Sequence, residues 1–265
     1  KTVLMRPKEL SDRSAYFRAM GRFVNEFKGR YIIAMDSGVV IEDMDSIALE
    51  TPYVVTTSKH KGNPAPYTAL SVLYGIEAAV KFKLHLDYLE GVHVAIQGLG
   101  HVGIALANAL RKKGARLTVC DNNAELMQRY AKDLKATIVE PDEIYAIECD
   151  VFSPCALGAV LNDESISQLN TAIVAGAANN QLAEPRHANL LHKKNILYAP
   201  DYVINSGGLI YAYAEYQNRL NRAHVVQHIS TIYSTLLEIF RCAHEENKSP
   251  SRVADSLAES RLNSI

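Results

Sequence analysis

Val92-His93-Val94-Ala95-Ile96-Gln97 runs straight into Gly98-Leu99-Gly100-His101-Val102-Gly103, and the reading of this join decides the fold. The stretch before Gly98 is apolar and partly β-branched, as a buried strand is. After Gly103 a helical pattern runs to Lys113, and Gly114 stands where a helix C-terminal cap belongs. Arg116 to Cys120 is the next strand, and it ends at Asp121, 18 residues beyond Gly103. Strand, glycine turn, helix, strand and acidic end together form a dinucleotide-binding pattern. Each glycine has its own physical reason. Gly98 permits the tight turn, Gly100 lets the backbone approach a pyrophosphate, and Gly103 lets helix and strand pack closely. The helix start offers unpaired N–H groups and the positive end of its dipole. The plain alternative is a strand–turn–helix corner that binds nothing.

Downstream the rhythm continues. Thr137–Val139, Asp150–Phe152, Ala172–Ala175 and Ile196–Ala199 read as strands with short helices between them. That alternation predicts an α/β fold: a doubly wound (Rossmann) parallel sheet covered on both faces. From Gly208 onward the chain is nearly all helical, with Val225, Ile229, Ile232, Leu236 and Ile239 forming one buried stripe. Upstream, Thr2–Met5 reads as a short strand. A helix follows from Ser11, with Tyr16, Phe17, Met20, Phe23, Val24 and Phe27 at helical spacing. Tyr31–Met35 is a second strand before the Asp36-Ser37-Gly38 turn, Asp43–Leu49 a short helix, and Tyr53–Thr57 another strand-like run. Lys59 to Pro66 is rich in breakers and reads as a linker. The expected organisation is a partial α/β substrate domain over 1–63, a dinucleotide domain over 64–245, and a last helix over 246–265 returning to the first domain.

Composition narrows the class. Among 265 residues, Lys plus Arg is 28 and Asp plus Glu is 29, a net charge of −1, so no global basic field invites a nucleic acid. Hydrophobic residues at 48% and charged residues at 22% suit a globular domain rather than a disordered one. No apolar run approaches the roughly 20 residues of a membrane span, and no signal peptide is visible. Cys120, Cys149, Cys155 and Cys242 are too scattered for a disulfide framework and read as reduced thiols of a cytoplasmic protein. No His, Asp or Glu cluster has metal-ligand spacing, so no metal is expected. The chain begins at Lys1 and enters a strand-like stretch at once, which reads as N-terminal truncation.

Asp121 has the placement to accept both hydroxyls of an adenosine ribose and to repel a 2′-phosphate. Asn122 and Asn123 follow it with no adjacent Arg, which favours NAD over NADP. A solvated strand-end carboxylate is the alternative. His101 reads as a surface residue of the glycine loop. Asp36 in Asp-Ser-Gly is ordinary turn chemistry, and Thr68 near a helix start is an ordinary cap. Gly176-Ala177-Ala178-Asn179-Asn180 and Asn205-Ser206-Gly207-Gly208 each follow a strand, at the edge where open α/β sheets meet ligands. Cys155 and Ala156 sit at another such edge, and nothing marks the thiol as a nucleophile.

Together these segments resemble a family. Gly21-Arg22-Phe23-Val24, Gly29-Arg30-Tyr31-Ile32, Gly62-Asn63-Pro64-Ala65-Pro66 and Gln97-Gly98-Leu99-Gly100 match its motifs. So do Pro154-Cys155-Ala156-Leu157-Gly158, Gly176 through Leu182, and Ala199 through Asn205. The chain resembles the amino acid dehydrogenases that deaminate leucine, valine, phenylalanine or tryptophan, distant relatives of glutamate dehydrogenase. The resemblance implies NAD-dependent oxidative deamination of an apolar or aromatic L-amino acid to a 2-oxo acid and ammonia, by a homo-oligomer. It implies that Lys1 is the base that activates water and Asp36 the proton shuttle at the amino group. It implies that Asn180, Asn205 and Ala212 line the substrate site. Gly98, Leu99, Gly100, His101, Val102, Gly103, Asp121, Asn122, Thr68, Cys155, Ala156, Ala177 and Asn180 would hold the cofactor.

Departures from the family stand beside the matches. Beginning at Lys1, the sequence reads as lacking a stretch that precedes the catalytic Lys in the family, including a second Lys for the substrate carboxylate. Val39 stands where the family often has a hydroxyl. Tyr211-Ala212 replaces a usual Asn-Val pair, which implies a roomier pocket. A catalytically silent, NAD-binding remnant or interaction protein is the rival reading.

Overall fold

A computed structural model describes residues 2–263 except 6, 8, 37, 61 and 62. The chain forms two compact units, 1–64 with 211–221, and 65–210 with 222–265.

In the first unit, α1 (Arg13–Glu26) starts where the Asp12 side chain accepts the Ala15 N–H at 2.8 Å. It packs on α2 (Ile41–Ala48), and Phe17, Met20, Val24, Met44 and Ile47 form their shared core. The buried Asp43 accepts from Arg13 and from the Val40 N–H, fixing the entry to α2. The three upstream strands are not found as strands. Residues 2–5 form no regular element. The two runs around Ile33 and Val54 meet in a single parallel bridge, with Ile33 N–H to Tyr53 C=O at 3.0 Å and Val55 N–H to Ile33 C=O at 2.9 Å. Strand-forming side chains do not extend a strand whose ladder has one rung and one neighbour.

The second unit follows the alternating pattern. Its elements are α3 (Ala65–Leu84), β1 (His93–Gln97), α4 (His101–Lys112), β2 (Arg116–Cys120), α5 (Ala124–Leu134), β3 (Thr137–Ile138), β4 (Cys149–Pro154), α6 (Asp163–Gln168), β5 (Thr171–Val174), α7 (Arg186–Lys193), β6 (Leu197–Tyr198) and α8 (Asp201–Ile204). After them come α9 (Gly207–Tyr216), which runs on into the first unit, then α10 (Arg222–Glu245) and α11 (Pro250–Leu262). All six strands are parallel, in the order β3-β2-β1-β4-β5-β6. The fold is therefore the expected doubly wound α/β sheet, with its strand order reversing between β1 and β4.

Val94, Ala95, Ile96, Val151, Phe152, Ile173 and Val174 are fully shielded, as parallel strands covered on both faces require. On α10, Val225, Ile229, Ile232, Leu236 and Ile239 are all buried, and the helix packs on α3. The last helix corrects the expectation that 246–265 returns to the first domain. Pro250 and Ala254 of α11 are buried as it packs on α10 and β6, and Tyr202 Oη bonds Asp255 Oδ1 at 2.5 Å. The segment that joins the first unit is 211–221 instead.

Candidate active site

In a parallel sheet every strand delivers its following loop to the same edge, and here five such loops share it. Gly98 follows β1, Asp121 follows β2, Cys155 follows β4, Gly176–Asn180 follow β5, and the turn into α8 and Asn205 follow β6. The sequence-expected cofactor residues from Gly98 to Asn180 are thus brought to one edge, most of them around the strand-order reversal, whereas Thr68 lies on α3.

At the reversal the backbone geometry is tight. Gly98 has φ of +99°, a region closed to most side chains, and a Cβ there would stand 2.9 Å from the Ala156 backbone nitrogen. Gly98 N–H donates to Cys120 C=O at 2.8 Å, and Cys155 N–H donates to Gln97 C=O at 2.7 Å. The β1 turn is thereby tied to both neighbouring strands. A Cβ on Gly103 would meet Gly98 O at 2.0 Å, so only hydrogen lets α4 start this close to the turn. Gly100 differs: nothing lies within 4 Å of the Cβ it lacks. It caps α4 in extended backbone with no side-chain cap, so no capping side chain occupies the first N–H groups of α4. That cradle fits a diphosphate, which would sit against the helix start where a side chain at position 100 would otherwise project.

Asp121 is held beside the cradle. Its Oδ2 accepts Leu99 N–H at 2.7 Å and its Oδ1 accepts Asn123 N–H at 2.8 Å. Each oxygen keeps a further lone pair for a hydroxyl. His101 and Asn122 are exposed, and Val102 is half-buried on the first turn of α4. Burial pushes the Cys155 thiol up and drives that of Cys120 to about 12, so both stay protonated and neither is a nucleophile near neutral pH.

The two amide loops are joined. Asn205 Nδ2 donates to Ala177 C=O at 3.1 Å and to Asn179 Oδ1 at 2.7 Å. Asn180 is exposed with φ of +52°, and its carbonyl accepts Ala159 N–H at 2.7 Å. Two residues that sequence reasoning passed over brace this corner. The buried Gln181 donates to Gly176 C=O at 2.9 Å and Ala178 C=O at 3.0 Å. Asp201 accepts the Gln181 N–H at 3.2 Å. Both lie inside the motifs that carry the resemblance, and no spacing rule singles them out. Thr68 is half-buried on the first turns of α3, and its carbonyl accepts from Ser71, whose hydroxyl accepts Gly207 N–H at 3.2 Å.

In the first unit, Asp36 is exposed at the end of the bridged segment, where its carbonyl accepts Val39 N–H at 3.2 Å. Ala212 is buried on α9, with 8% exposure. Lys1 lies outside the described residues. Among the described residues no group of three or more His, Cys, Asp or Glu could hold a metal ion, and no helix is long and apolar enough to cross a membrane.

Residues 117–260 match the family model for glutamate/leucine/phenylalanine/valine dehydrogenases. Leucine dehydrogenase from Thermoactinomyces intermedius is 44% identical over 265 residues, covering 99% of this chain and 72% of that protein. L-tryptophan dehydrogenase from Nostoc punctiforme is 44% identical over 247 residues, covering 93% and 70%. The crystal structure of the L-tryptophan dehydrogenase from Nostoc punctiforme superposes with a TM-score of 0.82 at 42% identity, covering 95% of this chain and 73% of that one.

Proposed function

The chain belongs to the glutamate/leucine/phenylalanine/valine dehydrogenase family and is an amino acid dehydrogenase, and from that premise we propose that it carries out NAD-dependent oxidative deamination of an apolar or aromatic L-amino acid. The observation that carries the cofactor half of this reading is the glycine cradle with Asp121 bonded to its Leu99 N–H. A nicotinamide cofactor held here would supply the acceptor for the hydride that leaves the substrate Cα. Leu99, Gly100, His101, Val102 and Gly103 would hold its diphosphate at the α4 start, and Asp121, with Asn122 beside it, would take its ribose hydroxyls. Thr68, Cys155, Ala156, Ala177 and Asn180 complete the cofactor site.

On the substrate side, Asp36 moves protons to and from the amino group. Lys1 is the proposed base for the attacking water. Asn180 and Asn205 orient the amino acid, and Ala212 leaves room for a long or ring-bearing side chain. The protein works as a homo-oligomer in the cytoplasm on small-molecule substrates. A silent remnant is the weaker reading, since similarity to working dehydrogenases extends over 93–99% of the chain.

The test is steady-state turnover of the full-length protein on Val, Leu, Phe and Trp with NAD and with NADP, beside Asp36→Ala and Asp121→Ala. Turnover with NAD, its loss in Asp36→Ala and a relaxed NAD preference in Asp121→Ala are expected. Inactivity toward every apolar amino acid sinks the reading, and so does a tighter fit to NADP.

A further inference from the structure

We infer that Glu215 is a positioning residue for Asp36, acting through Thr56; this rests on the proton-shuttle role proposed for Asp36. All three residues belong to the first unit. Glu215 is 4% exposed on α9, and its Oε1 accepts Thr56 N–H at 2.7 Å in a buried contact between residues 159 apart in sequence. Thr56 is itself fully buried, with φ of +62°. A β-branched residue seldom adopts that conformation, and its surroundings must hold it there. The contact with Glu215 is one such restraint. Thr56 in turn accepts the N–H of Met35 on its hydroxyl at 2.8 Å and donates that hydroxyl to Val55 C=O at 2.5 Å. Met35 immediately precedes Asp36. The chain of contacts therefore runs from a carboxylate on α9, through a strained threonine, to the backbone that carries the proposed proton shuttle.

The rest of that segment has one bridge as its ladder, Ile33 to Val54, while its Ile33 and Met35 side chains pack on the α1–α2 core. Glu215 Oε2 is buried with no hydrogen-bond partner among the described residues. A buried carboxylate oxygen left unpaired is unfavourable, and the contact that Glu215 makes in return is the one to Thr56. Glu215 also lies three residues after Ala212, on the same face of α9. One helix face thus presents both the pocket residue and the brace behind Asp36.

The experiment measures kcat, KM for leucine and the NAD dissociation constant of the full-length protein and of Glu215→Ala, Glu215→Gln, Thr56→Gly and Asp36→Ala. A glutamine oxygen can still accept the Thr56 N–H, whereas alanine cannot. Glycine at 56 tolerates the positive φ but offers no hydroxyl to Met35. The expected result is a fall in kcat of about 10- to 100-fold in Glu215→Ala and Thr56→Gly, the size expected for a misplacement near 1 Å. NAD affinity should hold, and Glu215→Gln should recover most of the loss. Wild-type kcat in Glu215→Ala, beside a dead Asp36→Ala, overturns the inference and leaves the reading of Asp36 standing. Equal losses in Glu215→Ala and Glu215→Gln overturn it too, because charge rather than the Thr56 contact would then matter. An active Asp36→Ala refutes the shuttle itself. If Glu215→Ala fails to fold, Thr56→Gly decides: unchanged kcat there overturns the inference.

Discussion

Replacing two glycines of one loop with alanine should separate folding from cofactor binding. In Gly103→Ala the new methyl would stand 2.0 Å from Gly98 O, and ordinary contact begins near 3.4 Å, so α4 and the β1 turn must part by about 1.4 Å. Overpacking of this kind costs about 1–3 kcal/mol. For a domain of this size that is a drop in Tm of roughly 2–12 °C. The N–H groups of α4 move with the helix, so NAD affinity falls as well. Gly100→Ala meets nothing within 4 Å, and its φ of −65° and ψ of −171° are open to alanine. A stiffer unfolded chain adds about 0.4–1 kcal/mol of stability. The poorer N-terminal cap removes a comparable amount, so Tm should stay within about 2 °C. Its methyl nevertheless points where a diphosphate must come, and NAD should bind at least about tenfold more weakly, or about 1.4 kcal/mol. Differential scanning fluorimetry and calorimetric titration with NAD read the two effects separately. If Gly100→Ala binds NAD like the parent, the cradle does not hold the diphosphate. If Gly103→Ala melts and binds unchanged, the close approach of α4 to the β1 turn is not required.

Ala212→Val adds two methyls at a buried position on α9 and should shift kcat/KM from Trp and Phe toward Val and Leu. One methylene of fit in an apolar pocket is worth only about 10- to 200-fold, so the ranking should move without becoming exclusive, and an unchanged profile across the four amino acids refutes the placement. His93 gives a stability signature in acid. Burial, and then the Arg116 charge, hold its pKa below 6.5 in the folded protein, so the unfolded chain takes up a proton first as pH falls. Its contribution is complete above about 6.5 and declines as pH falls below that value. Urea midpoints measured from pH 8 to pH 5 should show the decline, and His93→Gln should flatten it.

How much of this was legible in the sequence depends on how far apart the decisive contacts lie. The cradle was readable because its chemistry occupies one continuous stretch, Val92 to Asp121: glycines at fixed offsets, a helix start and an acidic strand end. Its supports are local too, since Leu99 and Asp121 meet across adjacent parallel strands. The first unit follows a different logic. Tyr31–Met35 and Tyr53–Thr57 have strand composition, yet pairing needs neighbours, and one bridge is what they form. Composition could not say which unit the last helix joins, because that is settled by Pro250 and Ala254 packing on α10 and β6. Glu215 shows the limit most sharply. In sequence it is one acid on a helix, and a solvated face is its ordinary reading. Only the fold brings it to Thr56, across 159 residues, and turns it into a buried acceptor behind Asp36. Residues that touch a ligand tend to sit in compact motifs because a ligand's own spacing constrains them. Residues that brace those motifs answer only to the packing, and the chain can recruit them from anywhere.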